Sequence, residues 1–244
     1  MSVIGQTTPF SVPDEGTFIV PEEVSYLYYC QNETVHGLEF NYVPKAPAGA
    51  ALVSDISSNF MTRPVDFTKH DLVFAGAQKN FGPAGLTVVI IRKSLLGKAL
   101  SICPTMLDYA VHAKAGSMYN TPPCFSIYMA GLMFEWVEQN GGVAAMEKRN
   151  HDRAAKLYEY IDNSAVFNNP VRACDRSITN VTFTLPTQED TDAFLKMAKG
   201  RGMINLKGHR SVGGCRASMY NGLPDAACET LIACMKDFEA GKRE

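Results

Sequence analysis

The sequence predicts an α/β protein with a mostly parallel sheet, followed by a small C-terminal α+β unit. Three apolar runs, at residues 51–54, 72–75 and 86–91, have the length and composition of buried strands. Apolar residues then recur at helical spacing over residues 125–139, and short strand-like and helix-like segments alternate after residue 140. Continuous apolar strands separated by loops and helices are typical of a sheet that is covered on both faces.

The first half of the chain shows its elements through local patterns. Residues 1–24 are polar and contain prolines, so we expect an arm or a loop there. The aromatic run at 25–30 predicts a strand, and the polar residues at 31–37 predict a loop at its end. After the three apolar strands, the helix at 125–139 ends at Asn140-Gly141-Gly142, where glycine favours a C-terminal stop.

The C-terminal part alternates between helices and strands. A helix at 143–162 has a charged face that we expect to be solvated, formed by Glu147, Lys148, Arg149, Asp152 and Arg153. The remaining patterns predict a strand at 180–184, a helix at 191–199, a strand at 214–219 and a terminal amphipathic helix at 225–242. We therefore expect three units: an arm or loop at 1–24, a large domain at 25–142 and a small domain at 143–244.

Composition excludes several classes of protein. The 244 residues carry a net charge of −2, which gives no basic footprint for nucleic acid. No apolar run approaches the roughly 18 residues needed to cross a membrane, and the N-terminus lacks a signal-peptide pattern. The seven cysteines contain no C-x-x-C pair, which argues against a zinc site or a disulfide framework. We expect a cytoplasmic protein without a metal site or a membrane partner.

One lysine and one aspartate suggest a specific chemistry. Lys79 follows the apolar run 72–75 among small residues, and Asp55 ends the run 51–54. In an open parallel sheet, ligands bind where strands end. Pyridoxal phosphate chemistry needs a lysine for the Schiff base and a carboxylate that keeps the pyridine nitrogen protonated. Taken singly, Lys79 also fits an ordinary surface lysine, and Asp55 also fits a helix N-cap or turn residue.

Longer segments around these two residues carry a resemblance to a known family. They occur in this order: Asn32-Glu33-Thr34-Val35-His36-Gly37, Asp55-Ile56-Ser57-Ser58-Asn59-Phe60, Arg63-Pro64-Val65-Asp66, 75–80, Tyr119-Asn120-Thr121-Pro122-Pro123, 207–210 and 214–218. Together they resemble the phosphoserine aminotransferases, which are pyridoxal-phosphate enzymes of fold type I. The resemblance covers the chain from about residue 25 to its end. It implies a partial large domain at 25–142 that binds the cofactor, and a small C-terminal α+β domain.

The resemblance implies how the cofactor would be held. Lys79 would form the Schiff base with pyridoxal 5'-phosphate, and Asp55 would pair with the pyridine nitrogen. Thr34 would hydrogen-bond the ring hydroxyl, and Gln78 would reach the cofactor phosphate.

The resemblance also implies a shared site and a substrate. Asn120 and Thr121 would reach the cofactor phosphate of the other subunit, so the expected assembly is a homodimer with shared active sites. His209 and Arg210 would bind the substrate phosphate, and Arg216 would bind its α-carboxylate with a planar fork of donors. The implied reaction is transamination between O-phospho-L-serine and 2-oxoglutarate, giving 3-phosphohydroxypyruvate and glutamate. L-serine biosynthesis would use the reverse direction.

The family's chain is longer than this one. Before the segment that begins here near Ser25, it carries a glycine-containing phosphate-binding turn, a tryptophan that stacks on the pyridine ring, and His and Arg residues of the substrate site. The one tryptophan of this sequence, Trp136, lies in a different segment. We therefore expect a partial large domain in which strands such as 86–91 have an exposed face or edge.

Two alternatives remain open at the level of sequence. The chain could be a truncated, non-catalytic paralogue that pairs with a full-length subunit and donates Asn120 and Thr121 to the partner's site. It could also be another fold-type I aminotransferase that acts on a small amino acid. The basic cluster at 207–210 favours a phosphorylated substrate over that second alternative, although such a cluster also fits a solvated basic turn.

Overall fold

A computed structural model describes residues 10–242 of the chain. Its strands, in chain order, are β1 (Tyr26–Cys30), β2 (Asn32–Glu33), β3 (Leu38–Glu39), β4 (Ala51–Asp55), β5 (Leu72–Gly76), β6 (Thr87–Ile91), β7 (Asn180–Phe183) and β8 (Cys215–Ser218). The α-helices are α1 (Tyr109–Lys114), α2 (Cys124–Gln139), α3 (Gly142–Asp162), α4 (Gln188–Gly200) and α5 (Asp225–Glu239).

The main sheet has four strands in the order β1-β4-β5-β6. The first two pairings, β1 with β4 and β4 with β5, are parallel, and β5 with β6 is antiparallel. The prediction of a mostly parallel sheet is therefore confirmed. Because β4 and β5 run in the same direction, Asp55 at the end of β4 and Gly76 at the end of β5 lie at one edge of the sheet.

The two faces of the main sheet are covered unequally. Leu27, Leu52 and Val73 are buried on one face, whereas Tyr26 and Tyr28 are exposed on the other. In β6, Thr87 and Ile90 are exposed, and the rest of the strand is only half-buried. The expectation that the apolar run at 86–91 keeps an exposed face or edge is confirmed for the edge, because β6 is the last strand in the order β1-β4-β5-β6. A strand with a partner on one side only and little cover leaves such side chains in water.

A short hairpin replaces part of the loop that the sequence predicts at 31–37. Strands β2 and β3 pair antiparallel, with Asn32 opposite Glu39. At the turn between them, Gly37 has a φ of +78°, and a Cβ there would lie 2.5 Å from the carbonyl oxygen of Asn180. Glycine is required for both reasons. Strands of two residues have too little sequence to show a period, which is why the pattern did not reveal them.

Helix α2 matches the helix predicted at 125–139 and covers one side of the sheet. Its Ala130 packs in a buried cluster with Val73 and Phe81. The opposite side of the helix is apolar but exposed: Phe125 and Tyr128 keep 69% and 64% of their surface in contact with solvent. The half-buried Trp136 lies on α2 with the guanidinium carbon of Arg149 5.9 Å from its ring centroid.

The C-terminal part is built on the two-stranded antiparallel sheet of β7 and β8, with α3, α4 and α5 packed around it. Its core contains the aromatic group Phe167, Phe183, Phe194 and Phe238. Helix α4 begins three residues earlier than predicted. The Thr187 hydroxyl caps it by accepting the Asp190 N–H at 3.0 Å. Helix α5 ends at Glu239, short of the predicted residue 242.

The prediction that the charged face of α3 is solvated is wrong at one position. Arg153 is 3% exposed and donates hydrogen bonds to the carbonyls of Met219 and Leu223. These carbonyls belong to the segment between β8 and α5, which folds over the helix. A buried arginine is tolerated here because its guanidinium satisfies backbone oxygens that would otherwise be unpaired. The helical pattern alone cannot show that a distant loop covers this position.

The N-terminal arm packs on the C-terminal part. Residues 10–24 form neither helix nor strand, as predicted for the arm, and residues 1–9 lie outside the described residues. The Val12 N–H donates to Asp175 Oδ2 at 2.9 Å, and Arg172 pairs with Asp14 at 2.7 Å. The predicted division between large and small domains at residue 142 stays a prediction. Within residues 10–242, no helix combines the length and the apolar composition that crossing a membrane requires.

The aromatic core of the C-terminal part gives a test of its contribution to stability. Phe194 is fully buried among Phe167, Phe183 and Phe238, so Phe194→Ala removes ring contacts and leaves a cavity. We expect the free energy of unfolding to fall by about 3–5 kcal/mol, measured by urea denaturation followed by circular dichroism. The matched control is Ile204→Ala, at an apolar residue of the same C-terminal part that is 68% exposed, for which we expect a change within about 0.5 kcal/mol. Equal losses in the two variants would contradict this packing.

Candidate active site

Thr34 joins two cationic side chains that come from distant parts of the chain. It lies in the turn between β2 and β3. Its Oγ1 accepts a hydrogen bond from Lys79 Nζ at 3.2 Å. Its main-chain carbonyl accepts a hydrogen bond from Arg216 Nη1 at 3.0 Å. The structure therefore brings together three of the residues that the sequence predicts for the site.

Asp55 is linked to the lysine segment through Ser57. Asp55 Oδ1 accepts the Ser57 N–H at 2.8 Å, and Ser57 Oγ accepts the N–H of Gly76 at 2.9 Å. The ends of β4 and β5 are thus tied to each other just before Lys79. Sequence reasoning missed this role of Ser57, although an aspartate followed two residues later by serine is a common signal for a side-chain-stabilised turn.

The electrostatics of Cys30 show that Asp55 and Lys79 share one environment. Cys30 lies opposite Asp55 in the β1–β4 pairing. Burial is the main cause that raises the pKa of its thiol to about 12; the charge of Asp55 adds to the rise, and the charge of Lys79 opposes it. On the same strand, burial and then Asp55 raise the pKa of Tyr28 to about 12. Neither residue was predicted as part of the site.

The segment that carries Lys79 is fixed on both sides. The side chain of Gln78 folds back over Gly76, so that a Cβ at residue 76 would lie 2.8 Å from Gln78 Oε1. Ala77 is buried, and Asn80 Oδ1 accepts the N–H of Asn221 at 2.9 Å. The exposed Gln78 therefore lies against the end of β5, beside the lysine. A larger side chain at Ala77, which is fully buried, would strain the packing around it.

His209 and Arg210 lie at the tip of a hairpin that also carries Arg216. The two arms of the hairpin meet where Arg216 N–H donates to the Leu206 carbonyl at 2.7 Å. Both tip residues are exposed, and the His209 ring contacts Ser211 Oγ at 2.6 Å. Within residues 10–242, no hydrogen bond or ion pair joins His209 or Arg210 to Lys79 or Asp55.

Asn120 and Thr121 stand apart from the other predicted site residues. They lie between α1 and α2 and are exposed. Asn120 Nδ2 donates only to the neighbouring carbonyl of Thr121, at 3.4 Å, among the contacts seen in the described part of the chain. No contact among residues 10–242 joins them to Lys79, and their predicted role in another subunit's site stays a prediction.

The groups at the strand ends have the chemistry that pyridoxal phosphate requires. The Lys79 amine contacts the Thr34 hydroxyl, and the Asp55 carboxylate lies at the end of the neighbouring strand β4. Over residues 10–242, no ion pair involves Lys79 or Asp55, so both side chains remain available to a ligand. The residues present therefore fit this cofactor.

Comparison with known proteins finds similarity to aminotransferases. A sequence model of the family described as Aminotransferase class-V matches residues 13–229. The phosphoserine aminotransferase of Pseudomonas fluorescens (strain SBW25) is 48% identical over 98% of this chain and 67% of its own length. That of Pseudomonas entomophila (strain L48) is 49% identical over 94% of this chain and 63% of its own length. The chain thus spans about two thirds of the length of these curated relatives.

Solved structures agree on the fold. The pyridoxal-phosphate-bound phosphoserine aminotransferase of Trichomonas vaginalis superposes with a TM-score of 0.89 at 43% identity, covering 93% of this chain and 64% of that one. The phosphoserine aminotransferase of Bacillus circulans subsp. alkalophilus gives a TM-score of 0.89 at 39% identity, covering 92% of this chain and 62% of that one. The predicted fold class, a fold-type I transferase with a partial large domain, is confirmed.

The environment of Cys30 provides a test of the charges at the site. With a thiol pKa of about 12, only about 10⁻⁴ of Cys30 is thiolate at pH 8. Asp55→Asn removes the charge that raises this pKa, so we expect faster alkylation by iodoacetamide. Lys79→Met removes the charge that lowers it, so we expect slower alkylation, with about a tenfold change in thiolate for each pKa unit. Peptide mapping by mass spectrometry gives the rate at each cysteine.

The exposed Cys124 serves as the internal control in the same samples, since it lies outside this environment. Opposite changes in the two variants distinguish electrostatics from loosening of the fold, which would speed alkylation in both. An unchanged ratio of Cys30 to Cys124 rates in both variants would contradict the shared environment.

Proposed function

The chain belongs to the class-V aminotransferase family, and from this premise we propose that it is a phosphoserine aminotransferase that uses pyridoxal 5'-phosphate. The proposed reaction is transamination between O-phospho-L-serine and 2-oxoglutarate, giving 3-phosphohydroxypyruvate and glutamate. L-serine biosynthesis would use it in reverse. The observation that carries the proposal is the meeting of Lys79 and Arg216 at Thr34, with Asp55 at the end of the strand that pairs with β5. The names of the relatives support the choice of substrates.

Four residues would hold the cofactor. Lys79 would bind it covalently, Asp55 would pair with the pyridine nitrogen, Thr34 would contact the ring hydroxyl, and Gln78 would reach the phosphate. When bound, the cofactor supplies an electron sink for the bonds at the substrate α-carbon. Thr34 Oγ1 accepts a hydrogen bond from Lys79, which leaves the hydroxyl hydrogen free to donate to a ligand oxygen.

Lys79 would also move the proton. Its amine is held by a neutral hydroxyl and not by a carboxylate, so no ion pair fixes it in the charged form. An amine that can lose its proton acts as a general base at the α-carbon and then returns the proton as a general acid. Asp55 would stabilise positive charge on the pyridine nitrogen because its carboxylate keeps one oxygen beyond the one that Ser57 occupies.

Arg216 would bind the α-carboxylate of each substrate. One of its Nη atoms is used by the Thr34 carbonyl, and the other donors of the guanidinium remain available for a carboxylate. His209 and Arg210 would bind the substrate phosphate at the tip of the same hairpin, where Lys207 adds positive charge. One hairpin would thus recognise both ends of phosphoserine.

Substitution of Lys79 tests the proposed reaction. We expect Lys79→Ala to lower turnover of phosphoserine with 2-oxoglutarate by more than about 10³-fold, since one residue is both the covalent anchor and the proton carrier. The wild-type chain, mixed with cofactor and freed of excess, should show visible absorption that borohydride reduction and peptide mapping assign to Lys79. Lys79→Arg keeps the positive charge but cannot form the covalent bond, so it separates charge from attachment.

Retained steady-state activity in Lys79→Ala would refute the assignment of the lysine. Equal kcat/KM for phosphoserine, serine and alanine in the wild type would refute the phosphorylated substrate and favour an aminotransferase of small amino acids. A folded wild-type chain that takes up no cofactor would leave pairing with a longer subunit as the better function.

A specific surface favours that second function and the proposed homodimer. The α1–α2 surface is defined by exposed apolar residues on and around these helices: Leu100, Ile102, Leu107, Met118, Tyr119, Phe125 and Tyr128. Large exposed apolar patches mark protein interaction sites. Asn120 and Thr121 lie within this surface, so a partner that covers it would also meet them. The chain would then pair with itself, or as a non-catalytic paralogue with a full-length subunit.

The pairing is tested by placing charge on the α1–α2 surface. We expect Phe125→Glu with Tyr128→Glu to weaken self-association at least tenfold, because a buried interface disfavours unpaired charge. Size-exclusion chromatography with light scattering measures this, alone and after mixing with a full-length phosphoserine aminotransferase. Ile19→Glu, at an apolar residue of the arm that is 86% exposed, is the control. A monomer at all concentrations that forms no mixed species would rule out both forms of pairing.

A further inference from the structure

Glu33, immediately before Thr34, holds the turn that carries Thr34. Its carboxylate accepts three hydrogen bonds, each 2.8 Å long: the Val35 N–H donates to Oε1, and the His36 N–H and ring Nδ1 contact Oε2. All three donors lie within three residues of Glu33. The carboxylate therefore closes a small loop around the turn, whereas β2 and β3 on either side of the turn are held by main-chain hydrogen bonds.

The remaining contacts fix the end of the turn but not its middle. Gly37 N–H donates to the Glu33 carbonyl at 3.1 Å, and the His36 carbonyl accepts from Thr182 Oγ1 at 2.8 Å. The peptide between Thr34 and Val35 has no main-chain partner of its own among these contacts. Its N–H is held by Glu33, and its carbonyl by Arg216.

The planarity of the peptide bond couples these two side chains. The carbonyl of Thr34 and the N–H of Val35 belong to the same rigid unit and point in opposite directions. When Glu33 fixes the N–H, it also fixes the direction in which the carbonyl meets Arg216 Nη1. A carboxylate on the N–H also polarises the peptide and makes its carbonyl a stronger acceptor. Glu33 thus acts on Arg216 without touching it.

We propose that Glu33 is a positioning residue for substrate carboxylates, which sets the guanidinium of Arg216 through the Thr34–Val35 peptide. This inference rests on the proposed function, in which Arg216 binds the carboxylate of both substrates. Loss of Glu33 lets the peptide rotate and leaves Arg216 with less restricted orientation. The consequence falls on the binding of phosphoserine and of 2-oxoglutarate alike, because both present a carboxylate to the same arginine.

The kinetic test compares Glu33→Ala, Glu33→Gln and the control Glu23→Ala, which removes an exposed glutamate of the arm. We expect Glu33→Ala to raise KM for both substrates about tenfold with kcat changed less than about threefold. Glu33→Gln, which keeps one acceptor oxygen, should lie between Glu33→Ala and the wild type. In an Arg216→Met background, Glu33→Ala should have no further effect on KM, since coupled residues are not additive.

Two readouts are independent of turnover. Hydrogen exchange followed by mass spectrometry should be faster for the amides of Val35 and His36 in Glu33→Ala and unchanged in Glu23→Ala. Calorimetry with maleate, a dicarboxylate that cannot be transaminated, should show about tenfold weaker binding in Glu33→Ala. The melting temperature of each variant identifies general unfolding, and Glu33→Gln covers the case in which the alanine variant does not fold.

The possible failures are distinguishable. A wild-type chain that binds maleate but does not use phosphoserine would refute the proposed function alone, and maleate binding by the variants would still decide the role of Glu33. Unchanged maleate affinity in Glu33→Ala, unchanged exchange at Val35, or full additivity with Arg216→Met would overturn the positioning role. A wild-type chain that binds no maleate would overturn both.

Discussion

The buried side chain of Asn32 connects the three parts of the chain that carry the candidate site. Its amide nitrogen lies 2.8 Å from Ser58 Oγ, in the segment after Asp55, and 2.8 Å from Asn180 Oδ1, on β7. Thr34 is two residues away on the same hairpin, and β7 pairs with the strand that carries Arg216. An intact hydrogen bond adds only about 1 kcal/mol, but a buried polar group left without its partner costs about 1–3 kcal/mol. The site therefore depends on a linkage that contains no catalytic group.

The cations of the site are held differently from two arginines elsewhere in the protein. Arg176 binds both oxygens of Asp162, and Arg172 binds Asp175 and Asp14, so these cations are neutralised within the chain. Lys79 and Arg216 instead contact oxygens of Thr34 that carry no net charge. Neutral acceptors fix the position of a cation without cancelling its charge, which leaves the electrostatic attraction for an anionic ligand. Arg176 and Arg172 are thus engaged within the chain, whereas Lys79 and Arg216 remain available for an anion.

Local sequence patterns were sufficient to predict the strands and helices that bury apolar side chains. Strands such as β4 and β5 are continuous apolar runs, and α2 has a helical period, so each could be predicted within a few residues. Lys79 and Asp55 could be found because strand ends in a parallel sheet meet at one edge. The roles of Ser57, Glu33 and Cys30 could not be assigned, since each depends on a distant segment: the Gly76 N–H for Ser57, the Arg216 guanidinium for Glu33, and the charge of Lys79 for Cys30. The burial of Arg153 was missed for the same reason: the segment that covers it lies about seventy residues further along the chain.

The distance along the chain between Asn32 and its partner on β7 has a consequence for synthesis on the ribosome. The two residues are 148 positions apart. At about 5–20 residues per second, roughly 7–30 seconds pass between the emergence of the first and the translation of the second. The main sheet, whose last strand ends at residue 91, can form in that interval, but Asn32 then lacks its partner on β7 and Thr34 lacks its contact with Arg216. A nascent chain therefore exposes Lys79 at the strand ends of a formed sheet before any C-terminal residue is available to complete the site.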